Sequence, residues 1–170
     1  LAAGTEQGAQ ALLVYLAIYV VMNIGMFAYI LCMERGGRPV TQISDLAGLS
    51  KASPGHALAL TALLFSLAGV PPLAGFFGKY FVFLAAVEAG LAPLAIAGAI
   101  ASVIGAFYYL RIVKMMYFDE VGEALDGRLS LSHRLALGVS ALAMSVAWLP
   151  FLNGFGVVEI SASAAASLVQ

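Results

Sequence analysis

Charge is what this sequence lacks. Of its 170 residues only 10% are Asp, Glu, Lys or Arg, against roughly 25% in a soluble domain. Hydrophobic residues make up 62% and the mean hydropathy is +0.99. A soluble fold of this length could not hide so much apolar surface, so the class is an all-α polytopic membrane helix bundle. The net charge is −1, and eight scattered Lys and Arg form no basic patch for phosphate, which excludes nucleic acid as a partner. Cysteine is scarcer still. Cys32 stands alone, so neither an intramolecular disulfide nor a Cys-ligated iron-sulfur cluster fits in this chain, and Cys32 reads as a small apolar residue within a helix. No cofactor and no metal is expected here. The sequence opens Leu1-Ala2-Ala3-Gly4 with neither an initiator methionine nor a basic n-region, so it reads as the C-terminal part of a longer protein.

Apolar runs are what it has. Four stretches, about 10–33, 57–88, 92–118 and 133–152, reach the ~20 residues a membrane helix needs. The linkers between them are polar and rich in turn formers, as expected of hairpin connections inside one transmembrane domain spanning 1–170. Lys and Arg lie asymmetrically. Arg35, Arg38 and Lys51 follow the first span, and Arg111, Lys114, Arg128 and Arg134 surround the third linker, while the 88–91 linker and both termini carry none. The positive-inside rule therefore puts those two linkers in the cytoplasm and the tail, 153–170, outside. Tyr117, Phe118 and Trp148 suit interfacial belts.

The second span is irregular. Its 31 residues, Ala57 to Val87, would extend about 46 Å as a straight helix, well beyond a ~30 Å hydrocarbon core. Pro71 and Pro72 remove two backbone donors in succession, and Gly69 and Gly75 flank them. The expectation is two half-helices, about 57–68 and 76–88, joined by an unwound stretch near 69–75. Non-helical backbone at membrane depth survives only when buried in protein or lining a wet cavity, so the break faces inward.

Lys79 is the only formally charged residue between Ala57 and Val87, and a lysine at bilayer depth costs about 2.5–3.5 kcal/mol. Two readings stand. The side chain either snorkels along about 12 Å of helix towards the headgroups, or it is a proton carrier, because desolvation brings a buried amine within reach of physiological pH. Glu88, nine residues on, is about 13 Å away along the helix and beyond ion-pair reach of it, so an acidic partner is expected outside this sequence. Ser66, Asn23 and, at the start of the second span, His56 are candidate supports of a proton path. Tyr15, Tyr19, Thr61, Ser102, Tyr108 and Tyr109 could line a hydrogen-bonded water file or simply bond between helices.

Asp45-Leu46-Ala47-Gly48-Leu49, Ser66-Leu67-Ala68-Gly69-Val70-Pro71-Pro72, Gly75-Phe76-Phe77-Gly78-Lys79-Tyr80 and Phe107-Tyr108-Tyr109-Leu110-Arg111 resemble the antiporter-like membrane subunits of respiratory complex I. That superfamily also includes multi-subunit cation/proton antiporters, and a purely structural membrane subunit whose lysine only pins assembly is the other alternative. The resemblance covers nearly the whole chain. It implies the last four helices of a fourteen-helix fold, the second of them discontinuous, in the bacterial inner membrane or its mitochondrial equivalent, with an external C-terminus. It also implies that Lys79 is the lysine at the exit side of a proton half-channel, coupled to quinone reduction elsewhere. FMN, iron-sulfur clusters and quinone would belong to partner subunits, and neighbouring antiporter-like subunits and the lipid bilayer would surround this one. One subunit type of the family carries glutamate where Lys79 stands.

Overall fold

Thr5 starts the first helix by accepting a hydrogen bond from the Gly8 N–H through Oγ1 at 3.1 Å, which satisfies one of the four donors a helix N-terminus leaves open. The helix, α1, runs Glu6–Ile30 in the computed structural model, which describes residues 2–122, 125–126, 129–145 and 161. Val14, Ile18, Met22, Gly25 and Tyr29 form its buried stripe, at the three-and-four spacing of one helix face. The remaining order is β1 Glu34–Arg35, β2 Arg38–Pro39, a 3₁₀ turn Ile43–Leu46, α2 Leu49–Ala52, α3 Pro54–Ala68, α4 Ala74–Glu88, α5 Ala92–Phe118 and α6 Leu131–Ser145.

The first helix begins and ends a few residues earlier than the expected 10–33, because Thr5 caps it and the chain turns at Leu31 into an antiparallel hairpin pairing Glu34 with Pro39 and Arg35 with Arg38. The hairpin and the two short helices after it were not legible as elements. They are held by long-range bonds: the Gly36 and Gly37 N–H groups donate to the Asp126 carboxylate at 3.1 and 2.9 Å, Asp126 N–H donates to Glu34 O at 2.9 Å, and Gly48 N–H to Met115 O at 3.1 Å. Arg35 pairs with Asp45 at 3.1 Å. The two cationic linkers thus meet at one end of the bundle.

Helix α1 packs on α4 and α6, and α3 packs on α5 and α6. Between them lies one core, with Leu60, Leu63, Leu64, Ala74, Met116 and Leu137 buried. Helix α5 sits outermost: only Ala95 and Met116 of it are buried, and Ile96, Ile100, Val103 and Phe107 are exposed. Among the described residues two helices, α1 with 25 residues and α5 with 27, are each long and apolar enough to cross a membrane. Helix α3, with 15, is shorter, and the fourth expected span is described only through Ser145, so Trp148 and nearly all of the tail lie outside the described residues.

Candidate functional site

Gly69 closes α3 with φ +87° and ψ 38°, a left-handed conformation that favours glycine. From there its N–H donates to the Phe65 and Ser66 carbonyls, both at 3.0 Å, and the Val70 N–H donates to Phe65 O at 3.0 Å. This turn serves two of the last four carbonyls of α3. Residues 69–73 are not helical; Pro71 and Pro72, joined by a cis peptide bond, supply no N–H to continue one.

Helix α4 then returns against the end of α3. The Gly75 N–H donates to Ser66 Oγ at 2.9 Å, and Ser66 is fully buried. The approach is so close that a Cβ at Gly75 would overlap the Ser66 carbonyl oxygen and stand 2.7 Å from its carbonyl carbon. Four residues on, and so on the same helix face, the Lys79 ammonium donates to Leu67 O at 2.9 Å and Ala68 O at 3.3 Å. The lysine stem passes over Gly69, where a Cβ would lie 3.3 Å from Lys79 Cδ. Snorkelling would carry the side chain along α4 towards Val87; instead it turns back to α3. A helix C-terminus carries the negative end of the macrodipole, so it attracts a cation without any carboxylate. Among the described residues the ammonium makes no ion pair.

Lys79 borders two cavities. One, of about 250 Å³, is lined by Tyr15 and Tyr19 of α1, Ser66 and Gly75, and Ser102 and Tyr109 of α5. Its size and polar groups suit several waters. The other, of about 450 Å³, opens between α4 and α5 with Phe76, Phe83, Leu84 and Val103 on its apolar walls. Ser102 lies on both.

Of the candidates read from the sequence, Ser66, Gly69, Gly75 and Lys79 therefore converge, and Pro71 and Pro72 make the connection between the helices. His56 and Asn23 do not join them. The His56 ring lies 5.5 Å from that of Tyr29, and Asn23 donates to Tyr19 O at 2.7 Å; neither lines either of the two cavities described above. Thr61 bonds within its own helix, to Ala57 O at 2.7 Å, and Tyr108 is exposed. What the sequence reading missed was the role of Leu67 and Ala68, which act through their carbonyls. Their only signal is a position just before a glycine that ends a helix. Among the described residues no group of His, Cys, Asp or Glu could hold a metal ion.

The family model described as NADH:quinone oxidoreductase/Mrp antiporter, transmembrane, matches residues 1–105. This chain belongs to that family. Membership makes it a membrane protein of the antiporter-like class. It is 57% identical over 171 residues to NADH-quinone oxidoreductase subunit N of Jannaschia sp. (strain CCS1), and 52% identical over 170 residues to subunit N of Rhodobacter capsulatus. Both matches take in 100% of this chain and 35% of the relative. A chain of respiratory complex I from Thermus thermophilus, solved with bound aureothin, superposes with a TM-score of 0.73 at 28% identity, covering 88% of this chain and 34% of that one. The chain thus spans about a third of the length of these relatives. That share sets an extent and no position, so the C-terminal placement expected from the sequence gains no support from it.

Proposed function

We propose that this chain is part of a proton-translocating membrane subunit of NADH-quinone oxidoreductase, and that Lys79 is its proton carrier. The observation that carries this reading is the ammonium itself, seated on the carbonyls that end α3 and bordering a cavity with five other polar side chains, Tyr15, Tyr19, Ser66, Ser102 and Tyr109. Backbone carbonyls hold the ammonium without a full negative charge to lock its proton in place, and the cavity leaves room for a water to accept that proton. In this reading α3 and α4 are the two halves of one discontinuous crossing. With α1, α5 and α6 they make four crossings of a single domain in the bacterial inner membrane, the tail lying on the periplasmic side. Lys79 loads from the cytoplasm and discharges outward, driven by charge movements that start at quinone reduction. FMN, the iron-sulfur clusters and the quinone act in partner subunits, and other antiporter-like subunits flank this one.

A second reading follows from the family description, which names Mrp antiporters beside the oxidoreductase: the same site would exchange a cation for protons without electron transfer. Copurification decides between them. Flavin and iron-sulfur subunits accompanying the full-length protein support the first reading, and their absence sinks it. Within the assembled complex, Lys79→Ala lowers proton translocation coupled to NADH oxidation. Lys79→Arg lowers it as well, since a guanidinium donates to the carbonyls but does not release its proton. Full pumping by the arginine variant would show that Lys79 is no carrier.

A further inference from the structure

We infer that Ser66 is a positioning residue for Lys79, acting through the N-terminus of α4 rather than as a member of the proton path. The inference rests on the reading of Lys79 as the carrier.

Three observations carry it. The Ser66 hydroxyl is fully buried and its Oγ accepts the Gly75 N–H at 2.9 Å. That N–H belongs to the first turn of α4, where no intrahelical acceptor exists, and the N-cap residue Leu73 has no side-chain acceptor to offer. Serine at 66 thus does from the neighbouring helix what a capping residue normally does from its own. Lys79 stands one turn beyond Gly75 on the same face, and its ammonium bonds the carbonyls of Leu67 and Ala68, the two residues that follow Ser66. Ser66 consequently joins the two helices at one end of a short lever. Gly75 is its pivot, and the Lys79 ammonium is its tip. The backbone approach at the pivot is too tight for any side chain, so the lever has a single register. Removing Oγ leaves the Gly75 N–H without its acceptor and lets α4 shift, and a shift of a few tenths of an ångström at the pivot is enough to lengthen the 2.9 and 3.3 Å bonds at the tip.

The test is a double-mutant cycle in the full-length subunit within its assembled complex, reading protons translocated per NADH oxidised, with assembly checked on native gels. Lys79→Met sets the full loss attributable to the carrier. Ser66→Ala is expected to lose at least about half of that, consistent with the loss of one net hydrogen bond. The double variant is expected to lose no more than Lys79→Met alone, because Ser66 works only through the lysine. Ser66→Thr, which keeps the oxygen, is expected to pump better than Ser66→Ala. Should the alanine variant fail to assemble, Ser66→Cys replaces it, with similar volume and a much weaker acceptor. If Lys79→Met pumps less while Ser66→Ala pumps normally, or if the two losses add in the double variant, the positioning role is overturned and the carrier reading stands. If Lys79→Met itself pumps normally, the carrier reading falls and takes this inference with it.

Discussion

Substituting Gly75 by alanine tests the packing of the site directly, because two opposed effects can be weighed. Alanine in place of glycine inside a helix gains about 1 kcal/mol of backbone propensity. Against that gain, the new methyl would overlap the Ser66 carbonyl oxygen and stand 2.7 Å from its carbon and 3.0 Å from Oγ. The first two are backbone atoms of a neighbouring helix and cannot swing aside, so the end of α3 and the start of α4 must separate. Overpacking of this kind costs about 1–3 kcal/mol, and the stretched Gly75 to Ser66 hydrogen bond forfeits about 0.5–1.5 kcal/mol more. The clash wins, leaving a net destabilisation of about 0.5–3.5 kcal/mol. Gly78, three residues on, is the control. A methyl there would meet Tyr15 Cδ2 at 3.3 Å and Ile18 Cδ1 at 3.4 Å, both side-chain atoms that can yield, so the propensity gain cancels the crowding to within about 0.5 kcal/mol. The assay is the amount of assembled complex surviving a graded heat step in native membranes. Gly75→Ala is expected to lower the half-loss temperature by roughly 3–10 °C, and Gly78→Ala to leave it nearly unchanged. Equal behaviour of the two variants would refute the argument that α4 is seated against the α3 backbone.

Two further outcomes follow from the same structure. Gly69→Ala forces an L side chain into φ +87° and crowds the Lys79 stem, at a cost of about 1–2 kcal/mol, whereas Gly69→Asn tolerates the left-handed backbone better; heat-step retention of the complex should therefore rank glycine, then asparagine, then alanine. Asp126→Asn keeps one carbonyl acceptor for the Gly36 and Gly37 amides but loses the charge, so hydrogen exchange at those two amides should quicken by about two- to fivefold with pumping unchanged.

How much of this was written in the sequence depends on range. Pro71, Pro72 and Gly69 act locally, through missing donors and a permitted backbone angle, and residues 69–73 are non-helical where those rules put the irregularity. The start of α4 at Ala74 came two residues earlier than expected, since Gly75 was read as a source of freedom and serves instead as a contact surface. The short hairpin and α2 escaped notice because bonds from Asp126 and Met115, some 65 to 90 residues away in sequence, hold them. Lys79 was legible as a charge in an apolar run, but its partners were not. Sequence patterns show side chains, and the groups that receive this ammonium are backbone carbonyls whose freedom to accept depends on how α3 ends.

The last turn of α3 shows why a lysine belongs there. An α-helix leaves its final four carbonyls without intrahelical partners, and here they belong to Phe65, Ser66, Leu67 and Ala68. The glycine turn serves Phe65 and Ser66 through the Gly69 and Val70 N–H groups, and Pro71 and Pro72 have no donors for the other two. In water those two would be hydrated, but inside a membrane protein each unsatisfied group costs several kcal/mol. Lys79 supplies both bonds. The proline pair that follows α3 therefore creates the need that the lysine fills, and the two features form one device. In the proposed carrier role, proton transfer at Lys79 would not dismantle it: a neutral amine still has two N–H donors for the two carbonyls, and its bonds are about half as strong as charge-assisted ones. In that role, loading and discharge would alter the strength of the joint between α3 and α4 while its connectivity persists. That arrangement would allow a charge to change between the two helices without the backbone around it coming apart.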